Sequence, residues 1–111
     1  MNAHRVLAVT VFASLIAGCY ARHGDAEARL SHWNTVLSKE LPAGASKAIV
    51  QAFFSGHGLE SSYSPSDHAV VAIDRDVESA GMVTTSITFK CPLDQNERLA
   101  SCNTAFVYTG P

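Results

Sequence analysis

Three cysteines carry the most reactive side chains of this 111-residue chain: Cys19, Cys91 and Cys102. A thiol can pair in a disulfide, ligate a metal as the thiolate, or act as the nucleophile that accepts a covalent group. Cys91 and Cys102 are separated by ten residues, whereas Cys19 stands alone where an apolar run ends. These positions predict that Cys19 has a different chemical role from Cys91 and Cys102.

The first residues have the form of an export signal. Arg5 gives the first five residues a positive charge, and residues 6–17 (VLAVTVFASLIA) carry no charge. This run is shorter than the about 20 residues that span a bilayer, but it has the length of the apolar part of a signal peptide. A buried helix is the alternative, although the run is apolar on every face. We therefore predict that residues 1–18 form a signal peptide.

The end of this segment, Ile16-Ala17-Gly18-Cys19, resembles the bacterial lipobox: an aliphatic residue, two small residues and a cysteine. The resemblance implies a diacylglyceryl group on the Cys19 sulfur, cleavage between Gly18 and Cys19, and acylation of the new amino group with a fatty acid such as palmitate. Two or more acyl chains anchor a protein stably in a membrane. Ordinary secretory cleavage is the alternative. Tyr20, in place of the aspartate that retains lipoproteins at the inner membrane, favours the outer membrane.

The remainder divides into a short tether and one domain. Residues 19–25 are predicted to be a lipidated tether that reaches at most about 20 Å, and residues 26–111 a single folded domain. The formal net charge of −2 gives no basic surface for nucleic acid, so we predict no nucleic-acid partner. Nothing in the sequence calls for a cofactor.

Cys91 and Cys102 are predicted to form a disulfide, because an exported domain folds in an oxidising compartment. The segment between them has a polar centre, DQNE, typical of a hairpin turn. Two free thiols are one alternative. A metal site is the other, and the lack of a histidine near this pair disfavours zinc.

The hydrophobic pattern predicts an α+β fold. Apolar residues at helical spacing indicate a helix over 26–41, and Ser46 is a candidate cap for a second helix over 47–55. Three strands follow, over 68–74, 82–91 and 99–109. The predicted architecture is a two-layer ααβββ domain, in which a helical hairpin packs on a three-stranded antiparallel meander.

The predicted disulfide also predicts a strand register. If the two cysteines face each other in antiparallel strands, Phe89 lies opposite Thr104. The same register points Leu93 and Leu99 to opposite faces, unless a β-bulge near the turn brings both inward. The sequence leaves these two possibilities open.

The pattern of Gly44, Ser46 and Val50, followed by an alternating strand, a turn and a leucine in residues 86–99, resembles the BamE (SmpA/OmlA) family of small outer-membrane lipoproteins. The resemblance spans residues 41–109. It implies a non-catalytic accessory to β-barrel assembly. The ααβββ order also resembles the repeat of β-lactamase-inhibitor proteins, which are binding modules.

Several other polar residues have the types needed for catalysis or metal binding. No Gly-x-Ser-x-Gly elbow surrounds the serines, so a polar loop is predicted there rather than a hydrolase site. A metal site formed by His57, Asp67 and His68 is the other alternative. The residues concerned are His57, Ser61, Ser62, Ser64, Ser66, Asp67 and His68.

The acidic residues Asp74, Asp76 and Glu78 alternate near a hairpin end and are predicted to be solvated rather than to bind calcium. Trp33 is predicted to lie in the core, the alternative being a partner surface on the first helix.

These observations predict a protein that is not an enzyme. It would be an outer-membrane lipoprotein facing the periplasm, attached at Cys19, and would bind an unidentified envelope protein. The alternative function is a periplasmic inhibitor or immunity lipoprotein that blocks a toxin or a lytic enzyme.

Overall fold

The structure is a computed structural model, which describes residues 25–110. The first helix, α1, occupies residues 25–40, and it ends before Pro42, because proline cannot donate the next backbone hydrogen bond. Trp33, Leu37 and Leu41 are buried, so the apolar stripe of α1 faces the core as its spacing predicts. Trp33 is therefore a core residue, as predicted.

The second helix, α2, spans Lys47–Gly56. Ser46 caps it as predicted, because its hydroxyl accepts a hydrogen bond from the Ile49 amide at 3.3 Å. Val50 and Phe54 are the buried residues of α2.

The sheet contains four antiparallel strands, ordered as they occur in the sequence. The strands are β1 (Glu60–Ser64), β2 (Ala69–Ala80), β3 (Val83–Pro92) and β4 (Asn103–Thr109). Two helices and an antiparallel sheet confirm the α+β class. The predicted count of three strands is wrong, because β1 forms where a loop was predicted.

Strand β1 escaped prediction because it is a short edge strand of mostly polar residues, ESSYS. Pairing with β2 brings Ser61 opposite Ala72 and Tyr63 opposite Val70, on the side of the sheet that faces the core. Only Tyr63 adds a large side chain to that side. An edge strand with so few apolar side chains lacks the alternation that reveals a half-buried strand.

The register of β3 with β4 is as predicted, with Phe89 opposite Thr104. Past the strand ends, Leu93 pairs with Leu99 in an isolated bridge that is one residue out of this register. Both leucines are buried. The irregular hairpin thus brings both of them inward, which decides the alternative that the sequence left open.

The connection between β2 and β3 is tighter than predicted. β2 continues to Ala80 through an irregularity between Asp74 and Glu78, and the turn consists of Gly81 and Met82. Gly81 has φ +63°, a left-handed conformation that glycine adopts without strain. Residues 75–81, which lie between two of the predicted strands, are thus largely part of β2.

Both helices pack on one side of the sheet. The Phe89 ring lies 5.5 Å from the Trp33 ring of α1 and 5.3 Å from the Phe54 ring of α2. One buried cluster joins these rings to the sheet; its other members are Leu37, Leu41, Ala45, Val50, Val70, Ala72, Ile87, Cys91, Leu93 and Leu99. This core fixes the positions of the outer edge of β4 and of the β2–β3 and β3–β4 hairpins.

Candidate functional site

The predicted attachment point lies outside the described residues. Gly18, Cys19 and all other residues before Asp25 belong to this part of the chain, so the lipidation remains a prediction. Within residues 25–110, no helix is both long and apolar enough to cross a bilayer.

The structure contains the predicted disulfide between Cys91 and Cys102, with Cα atoms 4.1 Å apart. Cys91 is buried at the end of β3, beneath the helices. The bond links the end of β3 to the residue just before β4, and so closes the loop that connects the two strands. It leaves neither thiol free for metal binding or catalysis.

The two histidines of the predicted polar loop region have separate structural roles. His57 Nε2 lies 3.0 Å from Glu40 Oε1, and its ring packs against the rings of Trp33 and Phe53. It therefore joins the end of α2 to α1.

His68 joins the β1–β2 turn to the β3–β4 hairpin. Its Nε2 lies 2.9 Å from the Asp94 carbonyl oxygen and its Nδ1 lies 2.7 Å from the Tyr63 hydroxyl. Because a carbonyl only accepts, Nε2 donates to it, and in the neutral ring Nδ1 then accepts from the Tyr63 hydroxyl. Both ring nitrogens are thus engaged in holding the fold.

The remaining polar residues of this region also bond locally. Asp67 contacts the Ser64 hydroxyl at 3.4 Å and Lys90 Nζ at 3.5 Å. Among residues 25–110, no group of three His, Cys, Asp or Glu side chains is arranged to hold a metal ion.

Asp74 is buried, which corrects the prediction that it is solvated. Its Oδ2 accepts a hydrogen bond from Trp33 Nε1 at 2.8 Å and from Arg29 Nε at 2.9 Å. The sheet position opposite Ile87 directs Asp74 toward α1, where the indole and guanidinium satisfy it. This carboxylate fastens α1 to the sheet.

The outer edge of β4 is a candidate binding surface. The Cα spacing of Cys91 and Cys102 is that of a pair without mutual backbone hydrogen bonds. Bonded and non-bonded pairs alternate along an antiparallel ladder. The N–H and C=O groups of Thr104, Phe106 and Tyr108 therefore point away from β3, toward the free edge.

The end of the sheet beside this edge exposes apolar side chains. We call the group formed by Met82, Val83, Val107 and Tyr108 the apolar tip; their exposed fractions are 73%, 44%, 39% and 66%. Thr84 pairs with Thr109 directly below the β2–β3 turn, so the two parts of the tip adjoin. The tip is the main concentration of large exposed apolar residues in the part of the chain that the structure describes.

The face of the sheet opposite the helices carries a shallow groove. Val71, Ile73 and Thr88 form its floor. An ion pair between Arg75 and Glu60, at 3.2 Å, lies at its border. The charged groups here are paired with each other, whereas the backbone groups along the β4 edge have no partner within residues 25–110.

Sequence reasoning missed both the β4 edge and the apolar tip. A signal for them was present, since residues 79–89 and 103–110 contain no charged side chain. Soluble edge strands are usually protected by charge or proline. The absence of charge from this strand was therefore a sign of an edge that is not protected against pairing with another strand.

Comparison of the chain with protein-family models, with curated proteins and with solved structures finds no match.

Proposed function

We propose that this chain is a bacterial lipoprotein, attached to the outer membrane through Cys19, whose periplasmic domain binds another envelope protein along the free edge of β4. The observation that carries the proposal is that the backbone N–H and C=O groups of three alternate residues of this uncharged strand, Thr104, Phe106 and Tyr108, point outward. It supports recognition by strand addition, in which a partner strand continues the sheet.

The lipobox motif at residues 16–19 supports the anchoring. The disulfide fits the same location, because such bonds persist in the oxidising periplasm and are rare in the cytosol. The resemblance of residues 41–109 to the BamE family supports a role in envelope or β-barrel assembly.

The β4 edge fits a partner strand better than the open groove fits a ligand. Added strands gain affinity from main-chain hydrogen bonds and specificity from alternate side chains. On β4 the side chains that accompany the free backbone groups are Thr104, Phe106 and Tyr108, which face the helix side. A partner strand with apolar residues at alternate positions would extend the core next to Phe106, which is half-buried.

Cys19→Ser should abolish membrane attachment, because serine cannot form the thioether. We expect the parent chain to incorporate labelled palmitate and to fractionate with membranes, and the variant to do neither. Globomycin, which blocks lipoprotein signal peptidase, should leave an uncleaved precursor of the parent. Equal membrane attachment of the two proteins would refute the anchoring.

Thr104→Pro should weaken partner binding about tenfold by removing one outward N–H and leaving a partner carbonyl unpaired. The matched control is Thr104→Val, since both variants lose the 2.9 Å hydrogen bond from the Thr104 hydroxyl to Asn34. Proline is tolerated on an edge strand where the N–H faces away from the sheet. Both variants should therefore unfold at the same temperature.

The measurement is the yield of a specific crosslinked envelope protein in cells expressing each variant. We expect equal yields from the parent and Thr104→Val and a reduced yield from Thr104→Pro. Equal yields from the two variants would refute strand addition at β4. The identity of the crosslinked protein separates an assembly accessory from an inhibitor of a toxin or lytic enzyme.

A further inference from the structure

We infer that the apolar tip is a second membrane contact: Met82, Val83 and Tyr108 enter the lipid interface beside the Cys19 anchor. This inference rests on the proposed lipidation and adds a defined orientation of the domain. The surface partner is the lipid bilayer itself.

The first argument is the chemistry of the apolar tip. Met82, at 73% exposure, stands at the apex of the β2–β3 turn next to Val83, and Tyr108 pairs with Thr85, two residues after Val83. Tyrosine is enriched at membrane interfaces, where its ring is buried and its hydroxyl stays hydrated. Because the segments 79–89 and 103–110 carry no charge, insertion of this end desolvates no ionic side chain from either of them.

The second argument is where the tether joins the domain. The Ala26 amide donates a hydrogen bond to Glu78 Oε1 at 3.2 Å, so the start of α1 lies beside the part of β2 that leads into the turn. Cys19 is only six residues before Asp25, which limits the tether to about 20 Å. The anchor therefore holds the tip end of the sheet near the membrane.

The third argument is the contrast between the two ends of the sheet. The ten residues of β3 extend over about 30 Å, from the apolar tip to the β3–β4 turn at residues 94–97. That turn and the residue after it carry three charged side chains, Asp94, Glu97 and Arg98, all exposed. The apolar tip is thus nearest the anchor and the charged β3–β4 turn is farthest from it.

These observations favour a lipid surface over a protein as the occupant. The membrane is the one surface that the tether keeps within reach of the tip at all times. Met82 lies at an apex rather than in a concave pocket, which suits shallow insertion to the boundary between headgroups and acyl chains, about 5–10 Å deep. The tip carries no basic side chain, so the contact is apolar and does not depend on anionic lipid.

The test uses the full lipidated chain reconstituted in phosphatidylcholine vesicles with or without brominated acyl chains, which quench nearby tryptophan. Met82→Trp places the probe at the tip. The matched control is Gln95→Trp, an exposed position in the turn at the opposite end. Both variants also contain Trp33, so the quenching of its fluorescence is measured in the parent chain and subtracted.

We expect Met82→Trp to show about twice the fractional quenching of Gln95→Trp, since only the tip lies at acyl-chain depth. Equal quenching of the two variants, with the acyl mass present on Cys19, would overturn the tip contact and leave the anchor intact. A tip that binds protein instead of lipid gives that same result. An intact mass without acyl groups would overturn the anchoring, and the tip contact with it.

Discussion

Replacing Cys91 and Cys102 together with alanine should lower the free energy of unfolding by about 3 kcal/mol. The disulfide closes a loop with a sequence separation of 11 and removes chain entropy from the unfolded state by roughly that amount. The loss is large for this domain, because proteins of its size have a net stability of only about 5–10 kcal/mol. Equilibrium urea unfolding of the parent and the double variant measures the difference.

The parent chain under reductant is the matched control for this double substitution. It loses the same crosslink but keeps both sulfur atoms, so its destabilisation should be close to that of the variant. The slope of the urea dependence should rise when the crosslink is absent, since the unfolded chain then exposes more surface. A loss of stability under about 1 kcal/mol in both cases would show that the bond is not an important restraint.

Asp74→Ala should cost about 3 kcal/mol, because it leaves the buried Trp33 indole N–H without an acceptor and removes the partner of Arg29. Asp74→Asn is the closer control, since the amide oxygen can still accept from Trp33 while the charge is lost. Arg29→Met removes only the ion pair with Asp74. It should cost under about 1 kcal/mol, because the Arg29 side chain is 53% exposed.

Equilibrium urea unfolding measures the free energy of unfolding lost in each of these three variants. The expected order of lost stability is Asp74→Ala, then Asp74→Asn, then Arg29→Met. If Asp74→Ala and Asp74→Asn had equal effects, the hydrogen bond from Trp33 would not be what stabilises this contact. Near-ultraviolet circular dichroism of Trp33 reports in the same samples whether α1 remains docked on the sheet.

The regular parts of the fold could be predicted from local patterns. Strand β3 alternates between apolar and polar residues, and its pairing with β4 follows from one disulfide, since fixing the Cys91–Cys102 pair sets every neighbouring pair. Ser46 and Pro42 bound the connection between the helices through their own chemistry. These features depend on neighbours in the sequence, which is why the sequence alone predicts them.

The features that escaped prediction depend on partners far away in the sequence. Asp74 looks like a solvated acid until the sheet directs it toward Trp33, 41 residues away. The irregularity in β2 likewise has its partner ten residues on, where the Ser86 hydroxyl accepts a hydrogen bond from the Asp76 amide. Neither partner is marked by a local pattern.

The candidate site divides in the same way. The Cys19 motif is a local signal and could be recognised from four residues, whereas the apolar tip combines residues from β3, β4 and the turn. Its position relative to the tether depends on the contact of Ala26 with Glu78, 52 residues apart. The sequence therefore predicts an attachment point at Cys19, but not that the apolar tip lies at the same end of the domain as the start of α1.

The single disulfide between neighbouring strands has a consequence for biogenesis. Three free cysteines can pair in three ways, but a thioether at Cys19 would leave only Cys91 and Cys102 as thiols. Lipidation would thus remove every non-native pairing before the domain is oxidised. Since the two partners are also close in the chain, maturation would require an oxidant and no disulfide isomerase.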